Sequence, residues 1–506
     1  MTGDVGVVPR EVLSPGELAF ERYRRWFGLI GAPVAFVGML AAPLPGLSAP
    51  AHRLAAILLT VVILWISEVL PMPVTALLGA VAAVVMRVAP AKDVLAPFAD
   101  PLIFLFIGAF ILARAIFLHG LDRRFAYAVL SLRWVGARPS RILFAFGAVT
   151  AIMSAWISNT ATTAMMFGIG MSILAFFFEQ KEGAPKIDPR YATGLMLMTT
   201  FAASVGGLAT PVGTPPNVIG LGFIRELVGV EIPFFRWMTI GVPIVAVLFV
   251  VMFAILNKFC PSGVTELTGS TGMIATRRAS LGRWTTAQRS VALASGLTVL
   301  LWVVPGIIAV FMGERSPLYV SVSRSIPEGV AALAGAVLLF MLPGNDGERA
   351  ITWNEASRID WGVVLLYGGG FALGVLSFQT GLAEAMGRGL TGLLPISGEF
   401  GLLVASVLIA VLLSETTSNT ASANMVVPVV ISIATASGID PLVPALGATF
   451  AASLGFMLPV STPCNAIVYG SGYVPLSRMI RYGLLLDLAG IVVVIVVVWL
   501  AGPMLR

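Results

Sequence analysis

The sequence predicts an all-α polytopic membrane protein of about 11 transmembrane helices plus two re-entrant hairpins, set in inverted repeats. Three observations carry this. The chain is 58% hydrophobic and only 11% charged, where a soluble protein carries about 25% charged residues. Two polar tripeptides, Ser158-Asn159-Thr160 and Ser418-Asn419-Thr420, lie inside otherwise apolar regions. Each is followed by a second matching signature, which runs from Gly207 through Pro211, Gly213-Thr214-Pro215-Pro216 to Asn217, and from Gly455 through Pro459, Ser461-Thr462-Pro463-Cys464 to Asn465. The same ordered pair, present twice, points to an internal repeat built around a binding site.

Residues 1–26 are polar, with acids and arginines and no long apolar stretch, so they do not read as a cleavable signal peptide. They are expected to form a cytoplasmic segment, followed by a first transmembrane helix over residues 27–50 (core 27–47). The first repeat is expected over residues 51–256, with apolar cores at 54–66, 102–112 and 240–256. A polar connector over 257–289 carries Lys258, Arg277, Arg278, Arg283 and Arg289. The second repeat is expected over 290–506, with a last apolar core at 484–500.

The halves match in order. The run from Pro101 through Gly108 to Phe110 resembles that from Trp361 through Gly368 to Phe371, and each ends in a Gly-Leu pair, Gly120-Leu121 and Gly381-Leu382. A short amphipathic stretch, a Ser-Asn-Thr segment and a Pro-broken helix follow in both. The matched residues include polar ones that membrane spans usually avoid.

Each tripeptide sits near the middle of about 38 apolar residues, 139–176 and 396–432, where a straight span needs only about 20. Two half-length arms meeting at the tripeptide fit better. Backbone freed at such a tip is tolerable only where it lines a cavity. The later signatures break helices over about 191–228 and 440–474, because successive prolines remove backbone donors.

Charge counting tests this arrangement. With the N-terminus inside and each hairpin entering and leaving on one face, about 21 Lys/Arg fall inside and about 9 outside, with Arg114 within a span. The basic connectors 123–141, 181–190 and 257–289 all land inside. An ordinary helix in place of the first hairpin would split the first two. The first hairpin then opens inward and the second outward. The formal charge of +6 is spread between apolar segments, which fits a lipid bilayer as the surrounding partner and not a nucleic acid.

Two distant cysteines, Cys260 and Cys464, fit neither a disulfide framework nor a metal-ligand spacing. Two histidines, His119 expected at a span end and His52 in a loop, support neither a histidine metal site nor a Ser/His/Asp hydrolase. An enzyme is not expected.

Inverted repeats with broken helices near the midplane are characteristic of secondary transporters. The motifs bring Ser158, Asn159, Thr160, Ser418, Asn419, Thr420, Thr214 and Thr462 towards one site, and all are neutral. Broken helices expose N–H groups that attract a carboxylate or other oxyanion. The same breaks expose carbonyls that suit a small hard cation. A bound cation beside the anion removes the need for a buried fixed charge. Twin half-sites predict two cation positions with the anion between them. Ser, Thr and Gly also serve simply to pack membrane helices closely; the paired Asn159 and Asn419 favour a functional role. Asn217 and Asn465 are expected to cap resuming helices. Among intramembrane ionisable residues, Glu68 and Asp487 read as structural or interfacial, Glu415 as tuning the site or holding the hairpin tip, and Arg114 as a functional candidate.

These paired motifs, repeated in inverted halves, resemble the divalent anion/sodium symporter (DASS) family over nearly the whole chain. The resemblance implies sodium ions as the coupling ion, with succinate, malate, fumarate, citrate or sulfate as cargo. It also implies a homodimer whose mobile transport domain moves as an elevator against a scaffold domain. Carried over by motif, the first sodium site would use Ser154, Ser158, Asn159 and Gly213. The second would use Ser414, Thr417, Asn419 and Ser461. The carboxylates would meet the eight neutral residues above, with Pro463 nearby. Departures are small. Cys464 stands where the first half has Pro216, Ser461 replaces Gly213, and Ser414 stands where a threonine is common. The expectation is sodium-coupled import of di- or tricarboxylates across the inner (plasma) membrane. The alternatives are sodium-independent dicarboxylate exchange and sodium/sulfate symport.

Overall fold

Helix starts and stops follow local chemistry. In the computed structural model, which describes residues 15–178, 187–267, 269–313, 315–391 and 398–505, every regular element is helical. Ser48 caps the helix Ala49–Ser67 by accepting from Ala51 N at 3.3 Å, with a proline in the first turn. Glu68 ends that helix in the left-handed region, φ 48°, and pairs with Arg24 at 2.9 Å. That pairing is the structural role expected of it. Asp100 caps Pro101–Leu118 through Leu102 N at 2.8 Å. Its other oxygen pairs with Arg225, and Tyr367 Oη donates to the capping oxygen at 3.3 Å, so three helices meet at one carboxylate. Thr285 and Gln288 close a capping box at the start of Thr286–Met312.

Nine helices among the described residues are long and apolar enough to cross a membrane, or ten if the bent pair Pro317–Ser325 and Glu328–Met341 forms one span. The first helix runs Pro15–Ala41, so the start of the expected N-terminal segment (residues 1–14) lies outside the described residues. It stops at Ala41, ahead of the prolines Pro43 and Pro45, and not at residue 47. The expected loop placement of His52 is corrected: it lies in the first turn of Ala49–Ser67, because Ser48 and Pro50 start that helix early, and its Nε2 meets Met39 O at 2.7 Å. His119 follows Pro101–Leu118 and its Nε2 meets Ala350 O at 2.7 Å. The polar insert 257–289 contains a helix, Ser270–Ser280, and the start of the next one. Lys181, on one of the basic connectors, lies outside the described residues.

The segment 139–176 holds two helices, Pro139–Ser154 and Asn159–Phe178, separated by four residues. The segment 396–432 holds Gly398–Thr416 and Asn419–Ala436; residues 396 and 397 lie outside the described residues. We call these the first and second hairpins. The first broken helix is Pro189–Gly207 and Pro215–Phe223, continued by a wider π turn, Ile224–Val228. The second is Leu442–Ala451 and Pro463–Tyr469.

Packing repeats between the halves. In each, the first arm of the hairpin lies along the first part of its own broken helix. The contact is close enough in the first half that a Cβ on Gly206 would sit 2.2 Å from Ala151 O. Similarly, a Cβ on Gly108 would sit 2.4 Å from the backbone of Ala332, so Pro101–Leu118 and Glu328–Met341 meet backbone to backbone. The largest apolar core among the described residues, drawn from Ile103 to Leu505, encloses the two broken helices; Pro189–Gly207 is buried at every residue from Tyr191 on. A helix hidden on all sides in this way leaves its broken end facing protein and cavity, as the freed backbone requires.

Candidate functional site

Serine at the head of each tripeptide decides where the second hairpin arm starts. Ser158 Oγ accepts from Ala161 N at 3.3 Å, and Ser418 Oγ accepts from Ala421 N at 3.2 Å. Both are N-cap bonds, and both put the following asparagine in the first turn. Thr214 and Thr462 stand in the same place before the resumed halves of the broken helices, each with extended backbone and a proline in the first turn. Four helix N-termini therefore converge.

They converge on one cavity of about 480 Å³. Ser158, Asn159 and Thr160 line it from the first hairpin, and Ser418, Asn419 and Thr420 from the second. Thr214, Thr462 and Pro463 line it from the broken helices. All nine residues expected to meet the cargo thus share one space. Gly213 and Ser461 also reach it; Ser154, Ser414 and Thr417 are buried just behind it. Thr417 Oγ1 donates back to Leu413 O at 2.7 Å. Cys464 is a free thiol in the wall.

Each asparagine sits in a cluster of oxygens. Ser154 Oγ donates to Asn159 Oδ1 at 2.7 Å. With the amide turned over, its nitrogen would instead donate to Ser154 Oγ at 2.7 Å, Ala203 O at 3.1 Å and Gly213 O at 3.1 Å. Four oxygens thus face one small volume, and either an N–H group or a cation is needed to satisfy them. In the second half Ser414 Oγ lies 2.8 Å from both Asn419 Oδ1 and Ala452 O, although one hydroxyl proton serves one acceptor at a time. Asn419 Nδ2 donates to Ser453 O at 3.4 Å. Such oxygen sets suit a hard monovalent cation when the asparagine turns its Oδ1 towards them.

Asn217 and Asn465 do more than cap. Asn217 Nδ2 donates to Gly207 O at 3.0 Å and Thr210 O at 2.8 Å. Asn465 Nδ2 donates to Gly455 O at 3.1 Å and Leu458 O at 2.9 Å. In both halves one side chain thus satisfies two carbonyls freed by the break. Asn465 Oδ1 also accepts from Thr200 Oγ1 at 2.6 Å, which ties the two broken helices across the repeats. The prolines announced the breaks, but no spacing announced the braces.

Glu415 holds the second break. Its Oε1 accepts from Met457 N and its Oε2 from Ser461 Oγ, both at 2.8 Å. Asp487, from the last helix, is buried against Glu415 rather than at an interface. Ser204, with a buried and unpartnered hydroxyl, and Arg114, Arg358 and Asp360 complete the cavity wall. Ser204 and Arg358 were not singled out in the sequence, since neither belongs to a motif.

The sequence matches the family described as the sodium:sulfate symporter transmembrane region over residues 23–506. It is 33% identical over 483 residues to a protein of Staphylococcus saprophyticus named sodium-dependent dicarboxylate transporter SdcS, covering 94% of this chain and 91% of that protein. It is 32% identical over 464 residues to the protein of the same name from Staphylococcus aureus strain USA300, covering 88% and 85%. The crystal structure of the Alcanivorax borkumensis YdaH transporter shares the fold, with a TM-score of 0.53 at 15% identity, over 96% of this chain and 99% of that one.

Proposed function

We propose, from the premise that this chain belongs to the sodium:sulfate symporter family, that it imports dicarboxylates of the succinate, malate and fumarate class by coupling them to sodium ions. One observation carries the reading: four helix N-termini, all with neutral motif residues, meet at one cavity flanked by two oxygen clusters, one per repeat. The N-termini and hydroxyls hold the carboxylates. The cations balance the charge that no side chain of the motifs supplies. Sodium site 1 is drawn from Ser154, Ser158, Asn159 and Gly213, and sodium site 2 from Ser414, Thr417, Asn419 and Ser461. A homodimer, an elevator motion and a cytoplasmic N-terminus in the plasma membrane belong to the same proposal. Eleven passes follow when both hairpins enter and leave on one face. The test is uptake of labelled succinate into proteoliposomes under an inward sodium gradient. Uptake unchanged when choline replaces sodium would overturn symport. Uptake of sulfate but not succinate would overturn the dicarboxylate assignment.

A further inference from the structure

Arg114 lies inside the span Ala91–Leu118, where an ionisable side chain is costly unless it is paired or faces water. Its side chain lines the central cavity, and its Nε is buried without a partner. Two more cavities continue from that point. One of about 300 Å³ is lined by Arg114, Phe117 and Arg123. Another of about 360 Å³ is lined by Phe117, Arg123 and Arg277. The central cavity and the first of these share Arg114 and Phe117; the two outer ones share Phe117 and Arg123. The three cavities thus form a row in which each neighbouring pair shares an arginine. It leaves the hairpin tips and passes the end of Pro101–Leu118. It ends at the helix Ser270–Ser280 of the basic insert.

None of these three arginines takes part in the ion pairs among the described residues. The nearby acids are engaged elsewhere. Asp122 accepts from the Arg123 backbone N–H at 2.7 Å, and Asp360 caps the next helix through Val363 N at 3.3 Å. The hairpin-tip pocket itself holds no arginine from its motifs. Positive charge is therefore absent from the motifs that line the pocket and present in its wall at Arg114 and along the way out.

We propose that Arg114 and Arg123 form a second anion site, a staging position for the carboxylates between the hairpin-tip pocket and the face that bears Arg277. The proposal rests on the reading that the cargo is an anion. A charged cleft with apolar walls concentrates the ion of opposite sign and speeds its entry. Occupancy must also be weak enough to let the ion leave, which separate arginines along a path achieve better than one tight clamp.

The experiment measures half-saturating succinate from each face separately, in proteoliposomes of known protein orientation. Arg123→Gln is expected to raise it about tenfold on the Arg277 face, the low end of field focusing, and less than about twofold on the other. Arg123→Lys should restore most of the loss. In wild type, rising ionic strength should raise half-saturation on the Arg277 face more than on the other, and this reading needs no variant. Equal changes on both faces, or none on either, would overturn the proposal. If wild type moves sulfate and not succinate, the dicarboxylate assignment fails, while the same asymmetry, read with sulfate, still decides this one.

Discussion

Ser461 Oγ donates to Glu415 Oε2 at 2.8 Å, and the repeat-related pair in the first half, Gly213 and Ala155, has no side chains to make such a bond. There, Thr210 Oγ1 ties the break to the hairpin through Ala155 O instead. The halves thus solve one problem, fastening hairpin tip to broken helix, by different chemistry. A carboxylate is used only in the second. Glu415→Ala should therefore destabilise the protein by about 2–4 kcal/mol, since two bonds to a charged acceptor are lost at a buried site. Glu415→Gln, which keeps an acceptor for Met457 N, should lose less. Thermal unfolding of the purified variants measures both, and an alanine variant as stable as wild type would contradict the tie.

Asn159→Ala and Asn419→Ala should each abolish sodium-coupled uptake while leaving a folded protein. Each removes the side chain around which three or more oxygens gather, without touching the braces at Asn217 and Asn465. Transport at the wild-type rate by either correctly inserted variant would exclude these clusters as cation positions.

Gly207→Ala and Gly455→Ala should differ. A Cβ on Gly207 would stand 2.4 Å from Asn159 Oδ1, which forces the amide to move. A Cβ on Gly455 would stand 3.3 Å from Asn419 Oδ1 and 3.1 Å from Ser414 Oγ, which small shifts relieve. Half-saturating sodium should rise at least about tenfold in the first variant, a displacement worth about 1.4 kcal/mol, and less in the second. The reverse order would show that the first cluster does not bind the coupling ion.

Asp122, on the short helix Leu121–Leu130 beside the spans, gives a prediction in pH. Burial pushes its carboxyl up to about 6. The native state then holds the proton more tightly than the unfolded chain, so this group's contribution is fully present below about pH 4 and is lost as pH rises through 6. Asp122→Asn should unfold at a higher temperature than wild type at pH 7.5, by about 2–3 kcal/mol of stability, with the gap closing towards pH 4. A gap independent of pH would assign the effect to packing.

How far the sequence reaches depends on whether the chemistry is local. The division of each hairpin segment into two helices was legible because each tripeptide falls midway along a stretch about twice as long as a span needs. Helix breaks were legible because proline acts through its own missing N–H. The braces at Asn217 and Asn465 were not, since a capping asparagine and one that reaches back to freed carbonyls read alike in sequence. The placement of Asp487 against Glu415 was hidden for a different reason: the two come from helices far apart in the chain. His52 was misplaced because its helix begins at a proline-bearing turn that also reads as loop.

The bond from Thr200 to Asn465 has one more consequence. It rivets the two broken helices together in the buried middle of the molecule, where water cannot replace it. Under the elevator motion proposed above, two halves so fastened would travel as one body, like freight in a single car.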